Sequence, residues 1–201
     1  MYNWKKLTEE QKNEIIKTRK TEKLPWHSPL HIDSGDKNYM LTASCYNHEH
    51  RIGFTHNRMQ EFEASLLKVI NEYSSEIFAW CILPNHYHVL IRTSEIKELI
   101  AHIGRLHGRI SFLWNKEENI KGRQNWHGIA ETVMKSKGHF YASLNYINHN
   151  PVKHCYVKKW TDWKYSSAEI YLNKLGREKV LKIWNHYPLF DYGKDWDVYE
   201  N

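Results

Sequence analysis

The sequence predicts an α+β domain in which helices cover an antiparallel sheet. Short runs with a period of two, typical of strands, alternate with longer segments in which apolar residues recur at helical spacing. Two of the strand runs are joined by a tight connection, which favours antiparallel pairing. With 201 residues, the chain is long enough for one domain with a hydrophobic core and additional terminal segments.

The first half of the chain contains three strand signals and one helix signal. Alternating side chains predict a strand over residues 39–45, and apolar residues at helical spacing predict an amphipathic helix over residues 56–73. Residues 77–93 then hold two β-rich runs that are separated by Pro84 and Asn85. This dipeptide predicts a tight connection or a bulge.

The second half contains two further helices and one short strand. An apolar stripe predicts a long helix over residues 94–119, and residues 124–132 are a candidate for a short strand. Residues 136–150 predict another helix. We expect that helix to end at Asn150, because Pro151 disfavours helical geometry in the residue that precedes it.

The two ends of the chain differ in character from its centre. Residues 1–37 combine a charged stretch with an irregular one that contains prolines, so we expect an N-terminal arm there. Most of the predicted strands and helices fall within residues 38–156, which we expect to form the central domain. Residues 157–201 are expected to form a small helical C-terminal extension.

Composition excludes several classes of protein. No apolar run approaches the roughly 18 residues of a membrane span, so we expect no association with a membrane. The N-terminus is too charged for a secretory signal, and we expect a cytoplasmic protein. Cys45, Cys81 and Cys155 have no CxxC spacing, which favours free thiols over a disulfide framework or a structural zinc site.

Positive charge is concentrated in one part of the chain. Residues 101–168 contain 11 Lys+Arg and 4 Asp+Glu, a difference of +7, whereas the rest of the chain nearly balances. A basic region of this kind suits a polyanion, and nucleic acid is the expected partner. Candidates for contact with a phosphate backbone are Arg105, Arg109, Lys121, Arg123, Lys135, Lys137, Lys158 and Lys159. Each of these could instead be a solvated surface charge.

Tryptophans lie among these cations. Trp126, Trp160 and Trp163 are candidates for stacking on unpaired bases, because aromatic faces stack on any exposed base. Burial in the hydrophobic core is the alternative for each of them.

Two histidines interrupt the second β-rich run of residues 77–93. On a strand, His86 and His88 point to one face and Tyr87 points to the other. Two imidazoles on one face can bind the same divalent ion. The alternative is a pair of surface or hydrogen-bonded histidines. The apolar neighbours favour the metal, because two polar rings on a covered strand face need partners.

The helix predicted over residues 136–150 offers two oxygen atoms that could lie near such a metal ion. Tyr146 and Asn150 are four positions apart and therefore lie on the same face of the helix. Asn150 can provide a carbonyl oxygen to a hard cation, and Tyr146 can present its phenolic oxygen nearby. Alternatively, Tyr146 is half-buried and structural, and Asn150 only ends the helix.

Taken together, these motifs resemble a known family. The stretch LPNHYHVLIRT is similar to the histidine–hydrophobic–histidine (HUH) signature of single-tyrosine transposases, and LNYINHNPVKH is similar to their tyrosine-bearing helix. Three other stretches, LPWHSPLH, SFLWNKEENIKGRQNW and WKYSSAEIY, resemble REP-associated tyrosine transposases, which are related to the insertion-sequence 200/605 transposases. The resemblance covers residues 24–172. It implies a ferredoxin-like HUH sheet with helices mainly on one face, and residues 38–156 would be the catalytic domain.

The resemblance also implies a particular chemistry. Members of this family cut and rejoin single-stranded DNA beside a hairpin, and they hold a divalent metal ion, Mg²⁺ or Mn²⁺. By position, the metal ligands would be His86, His88 and Asn150. Tyr146 would be the nucleophile that becomes joined to the 5′ phosphate and leaves a free 3′-OH.

Other residues acquire roles from the same comparison or from their place near the nucleophile. The resemblance implies that Trp26 and His27 in the arm touch DNA bases. Lys153 and His154 follow the tyrosine closely and are expected to contact a phosphate. Together with His149 they could also accept the phenolic proton, and solvent is an alternative acceptor.

Two other functions are compatible with the same residues. The chain could be a domesticated protein that binds hairpin DNA or RNA with little or no cleavage. It could also be a metal-dependent hydrolase in which His86 and His88 activate water and Tyr146 is structural. The expected partner is single-stranded DNA with hairpin structure. The oligomeric state is expected to be either a monomer, as in the REP-associated branch, or a homodimer, as in the insertion-sequence relatives.

Overall fold

The computed structural model describes residues 36–193 and, nearer the N-terminus, residues 8–10, 13 and 17. Most of the predicted N-terminal arm, including Trp26 and His27, lies outside the described residues. No helix in the described part of the chain is long and apolar enough to cross a membrane.

Four antiparallel strands form one sheet. They are β1 (Lys37–Ser44), β2 (Glu76–Ile82), β3 (His86–Thr93) and β4 (Ala130–Val133), and their order across the sheet is β2-β3-β1-β4. The tight connection between β2 and β3 is closed by a hydrogen bond of 2.8 Å from Leu83 N–H to His86 O. The predicted α+β class with an antiparallel sheet is therefore confirmed.

Five α-helices accompany the sheet within residues 36–193. They are α1 (His56–Tyr73), α2 (Ile96–Glu117), α3 (Lys137–Lys153), α4 (Ala168–Leu175) and α5 (Arg177–His186). Three single turns of 3-10 helix lie at Tyr46–His48, Ile52–Phe54 and Trp160–Asp162.

One face of the sheet carries the larger hydrophobic core. Tyr87, Val89 and Ile91 of β3 point to this face, where they join the buried stripes of α1 and α2. Phe62 of α1 and Ile103 of α2 are among the residues that complete this core. The alternation along β3 therefore assigns Tyr87 to the core and leaves His86 and His88 on the other face.

The second face is covered by α3. Leu144 and Ile147 of α3 are buried against Met40 of β1 and Leu90 of β3. The two longest helices, α1 and α2, share the first face, and α3 lies on the second. A helix is needed there because the second face of β3 also carries an apolar side chain, Leu90.

The helix α3 does not end at Asn150, and that prediction is wrong. It continues through Pro151 to Lys153, and Asn150 is fully buried within it. A proline disfavours helical geometry in the residue before it only by a local steric preference. Here Asn150 and Pro151 are both packed in the interior, and this packing outweighs the preference. The last turn is closed by hydrogen bonds from His154 N–H to Asn150 O (3.0 Å) and from Tyr156 N–H to Pro151 O (2.9 Å).

Candidate active site

The site begins with the two histidines of β3. His86 and His88 point to the face that α3 covers, and each is only 1% exposed. Their ring centroids are 5.1 Å apart, and the ring planes are inclined by 76°. The strand period of two thus places two imidazoles side by side in a buried setting.

The helix α3 brings the other two predicted residues to these histidines. Asn150 Oδ1 lies 3.1 Å from His86 Nε2. The Tyr146 ring lies 5.2 Å from the His88 ring, centroid to centroid, in an edge-to-face arrangement. The four residues that the sequence singled out therefore meet in one place between β3 and α3.

Two neighbouring side chains orient the imidazoles, and sequence reasoning missed both. The Asn85 Nδ2 group donates to His48 O at 3.0 Å, which turns its Oδ1 atom toward His86 Nδ1 at 2.7 Å. On the other ring, His88 Nδ1 lies 2.7 Å from Thr42 Oγ1 on β1. Asn85 directly precedes His86 in the chain, so the sequence alone could have indicated a contact between their side chains. Thr42 is opposite His88 only because of the strand register.

These contacts orient the ring of His86. Because Asn85 Oδ1 can only accept, His86 Nδ1 carries a proton, and in the neutral ring Nε2 then carries the lone pair. That lone pair faces Asn150 Oδ1, which is also an acceptor. Without a metal, a protonated Nε2 donates to Asn150 Oδ1, and with the neutral ring both atoms can bind one cation.

The donor set fits a divalent metal ion. Imidazole nitrogens and an amide oxygen are ligands that first-row divalent ions and Mg²⁺ accept. Asn150 Nδ2 has no hydrogen-bond partner among the described residues, so the carboxamide is not anchored from its other side. Within the described part of the chain, no cluster of three or more His, Cys, Asp or Glu could hold a metal. A metal at this site would therefore depend on Asn150 as its third protein ligand.

The C-terminal extension covers Tyr146. The tyrosine is 1% exposed, and Tyr192 lies against it with a centroid separation of 5.9 Å. Gly193 is so close that a Cβ atom at its position would lie 2.8 Å from Tyr146 Cδ2. The backbone at Gly193 is also left-handed, with φ of +75°, which favours glycine.

Lys153 adds a positive charge beside the tyrosine. Its Nζ atom lies 3.4 Å from the Tyr146 hydroxyl and 5.0 Å from the centre of the Tyr146 ring. The same ammonium donates to Gly193 O at 2.8 Å, and so it also holds the covering segment. His154 lies on the other side of the site, where its ring centroid is 5.0 Å from that of His86. Both residues that were predicted to contact a phosphate are thus adjacent to the site.

Two of the other predicted DNA contacts lie away from this site. Arg105 and Arg109 are exposed on α2, which packs on the opposite face of the sheet. Lys158 is exposed beyond the end of α3. Their predicted contacts with a DNA backbone stay predictions.

Arg123 and Trp126 have partners within the protein. Arg123 donates two hydrogen bonds to Glu118, of 2.6 and 2.8 Å, and they lower the pKa of that carboxyl to about 2. Trp126 is 8% exposed and stacks on His107 with a centroid separation of 3.9 Å. Burial lowers the pKa of His107 to about 3, so this stack is between neutral rings. These contacts favour structural roles for both residues over the DNA contacts that we predicted.

Fold and site together define an antiparallel α+β domain in which one sheet face presents paired histidines to a tyrosine-bearing helix. Residues 38–149 match the family described as "Transposase IS200 like", and the chain belongs to this family. It is therefore a member of a class of DNA-processing enzymes.

Two similar proteins are described as REP-associated tyrosine transposases. The chain is 32% identical over 145 residues to a Haemophilus influenzae protein assigned to the REP-associated tyrosine transposases, covering 62% of this chain and 80% of that protein. It is 26% identical over 140 residues to the Escherichia coli REP-associated tyrosine transposase, covering 64% of this chain and 74% of that one. The resemblance to REP-associated tyrosine transposases is confirmed.

A solved structure has the same fold. It is a REP-associated tyrosine transposase bound to a REP hairpin, and it superposes with a TM-score of 0.54. The match covers 73% of this chain and 84% of that chain at 20% sequence identity. At this identity the likeness concerns the fold alone.

Proposed function

We propose that this chain cleaves and rejoins single-stranded DNA beside hairpins, with Tyr146 as the nucleophile and with a divalent metal ion held by His86, His88 and Asn150. The observation that carries the proposal is the meeting of these four side chains between β3 and α3. The hairpin partner is supported by the family and by the hairpin-bound structure of similar fold.

The proposed reaction exchanges one phosphoester for another. The Tyr146 oxygen attacks the phosphorus and gives its proton to solvent or a neighbouring base. The bond from phosphorus to the 3′ oxygen breaks, and that oxygen takes up a proton. The DNA then carries a free 3′-OH, and its 5′ phosphate is joined to Tyr146. Because the phosphotyrosine conserves the ester bond, a 3′-OH can reverse the step without ATP. When bound, the metal ion would offset the negative charge of the scissile phosphate.

The residues of the chain support this reaction in three ways. Asn85 and Thr42 hold the imidazoles in the orientation that directs one nitrogen of His86 toward Asn150. The Lys153 ammonium, 3.4 Å from the Tyr146 oxygen, would stabilise the phenolate that forms as the proton leaves. The buried setting excludes water, which would otherwise compete with the 3′-OH for the phosphotyrosine.

Covalent trapping tests the proposal. The purified chain is incubated with labelled single-stranded oligonucleotides that contain a hairpin, in the presence of Mn²⁺ or Mg²⁺, and adducts are separated by denaturing electrophoresis. We expect an adduct with the wild type and none with Tyr146→Phe. Tyr141→Phe is the matched control, because Tyr141 is on the same helix but stacks on Tyr187, with ring centroids 4.9 Å apart. An adduct that persists in Tyr146→Phe would contradict the assignment of the nucleophile.

One observation favours a second candidate, a hairpin-binding protein with little cleavage. Tyr146 is covered by Tyr192 and Gly193, so DNA cannot reach it until this segment moves. The same trapping experiment separates the two candidates. If hairpins bind, but no adduct forms even after residues 188–201 are deleted, the chain is a binding protein. An adduct in either form supports the transposase reaction.

A further inference from the structure

An exposed group of aromatic and imidazole rings borders the candidate active site. We define it as the ring platform, and it consists of Tyr46, His48, His50, His127 and Tyr156. Four of its members lie at the end of the sheet where β1 stops and β3 begins, and Tyr156 follows α3. None of the five has a role in the chemistry proposed above.

The rings of the platform contact one another in two sets, one around His127 and one formed by His50 and Tyr156. His127 lies 5.0 Å from Tyr46 and 5.6 Å from His48, measured between ring centroids. Tyr156 lies 6.4 Å from His50, and its hydroxyl is 3.4 Å from His50 Nε2. Tyr46, which is 37% exposed, His50 and His127 are accessible, whereas His48 and Tyr156 are half-buried.

The backbone beneath the platform is held in place. Tyr46 N–H donates to Asn125 O, and His127 N–H donates to Ser44 O, each at 2.9 Å. His48 adopts a left-handed conformation with φ of +54°, which a non-glycine residue rarely does. The rings are therefore displayed on a fixed frame rather than on a loose loop.

The platform is connected to the metal ligands on two sides. Asn85 bonds His48 O through its Nδ2 group and His86 through its Oδ1 atom. On the other side, the His154 ring lies 5.0 Å from His86 and 6.5 Å from Tyr156. The platform therefore adjoins the place where a phosphate would bind.

From this arrangement we infer that the platform binds unpaired nucleotides of the DNA strand on one side of the scissile phosphate, with their bases stacked on Tyr46 and His127. This inference rests on the proposed function. Exposed ring faces stack on any base, and imidazoles do not repel a phosphate backbone as carboxylates would. The acidic residue within the loop, Glu49, is paired with Arg51.

The test compares two labelled DNA hairpins of identical stem, one blunt and one with unpaired tails of about six nucleotides. Their affinities are measured by fluorescence anisotropy in EDTA, so that no cleavage is needed. We expect the double variant Tyr46→Ala/His127→Ala to bind the tailed hairpin about tenfold more weakly or worse, and to bind the blunt hairpin as the wild type does. Tyr46→Phe keeps the ring and should keep the affinity.

Phe112→Ala is the matched control, because Phe112 is 68% exposed on α2, on the opposite side of the sheet. It should leave both affinities unchanged. In a second measurement, 5-iodouracil in the tails should crosslink to the platform rings under ultraviolet light.

Three results would overturn the inference: an equal loss of affinity for both hairpins in the double variant, no loss, or crosslinks only outside the platform. Tighter binding of an RNA hairpin with the same tails would overturn the choice of DNA. Because the binding assay is run without metal, its failure is distinguishable from a failure of Tyr146 to form an adduct.

Discussion

Asn150 Oδ1 lies 3.1 Å from His86 Nε2, although the two residues are 64 positions apart in the chain. The contact joins α3 to β3 across the covered face of the sheet. With Asn150, the two strand histidines form a set of three side chains that could bind one metal ion.

Removal of Asn150 should weaken metal binding. We expect Asn150→Ala to lower the affinity for Mn²⁺ by at least about tenfold, because a buried ligand oxygen is lost. Asn150→Asp keeps an oxygen and adds a negative charge, and it should bind at least as tightly as the wild type. Isothermal titration calorimetry on the protein without DNA measures both. Asn148→Ala is the control, because Asn148 is buried on the same helix and donates to Leu144 O at 3.0 Å. Equal affinities in wild type and Asn150→Ala would contradict Asn150 as a ligand.

Asn85 should act as a positioning residue for His86. We expect Asn85→Ala to reduce Mn²⁺ affinity by about 10- to 100-fold, because His86 Nδ1 loses the acceptor that fixes its tautomer. Asn85→Asp retains an acceptor oxygen and should recover most of the affinity. The melting temperature is measured in parallel with the titration. If both variants lose stability but keep the wild-type affinity for Mn²⁺, Asn85 supports only the loop that contains His48.

Loosening the cover should expose Tyr146. In Gly193→Ala, the added Cβ would press on Tyr146 Cδ2, and the left-handed backbone would be strained. We expect the segment to shift, so that nitration of Tyr146 by tetranitromethane becomes several-fold faster when followed by mass spectrometry. Adduct formation with hairpin DNA should accelerate in the same variant. Gly176→Ala is the control, because it carries a comparable strain at φ of +79° but meets nothing within 4 Å. Equal nitration in the two variants would show that Gly193 does not limit access.

The ion pairs around Glu118 should stabilise the fold in a pH-dependent way. Its pKa is lowered from 4.5 to about 2 by hydrogen bonds from Arg123, with a further contribution from Arg58. Because the folded-state pKa is depressed, this stabilisation is present above about pH 4.5 and is lost as the pH falls toward 2. Glu118→Gln should therefore lower the free energy of unfolding at neutral pH by about 2 kcal/mol. Chemical denaturation between neutral pH and the acid range measures the effect.

Glu117, the neighbour of Glu118 in the chain, provides the control variant. Its side chain is 55% exposed and pairs only with Arg58 among the described residues. Glu117→Gln should change the free energy of unfolding by less than about 1 kcal/mol, because exposed ion pairs contribute little. A loss in Glu117→Gln as large as that in Glu118→Gln would refute the view that the stabilisation is specific to the ion pairs of Glu118.

Much of the site was predictable because it depends on local periodicity. The period of a strand alone puts His86 and His88 on one face of β3. The period of a helix alone puts Tyr146 and Asn150 on one face of α3. The class of fold followed from the order of such segments. These features need no knowledge of which segments pack together.

Other features could not be predicted from local patterns. Arg123 and Trp126 fitted a basic, aromatic DNA surface, but Arg123 binds Glu118, and Trp126 stacks on His107 in the core. The end of α3 was misplaced, because interior packing of Pro151 overrides the local preference. In each case a contact with a distant part of the chain decided the outcome.

By itself, the sequence determined which side chains share a face and which chemistry they can support. Only the tertiary structure decided that the face of β3 with His86 meets the face of α3 with Asn150, and that Gly193 lies over Tyr146. The physical reason is that periodicity is set by backbone geometry over a few residues. The pairing of two faces is set by the packing of the whole domain, in which every apolar surface competes for cover.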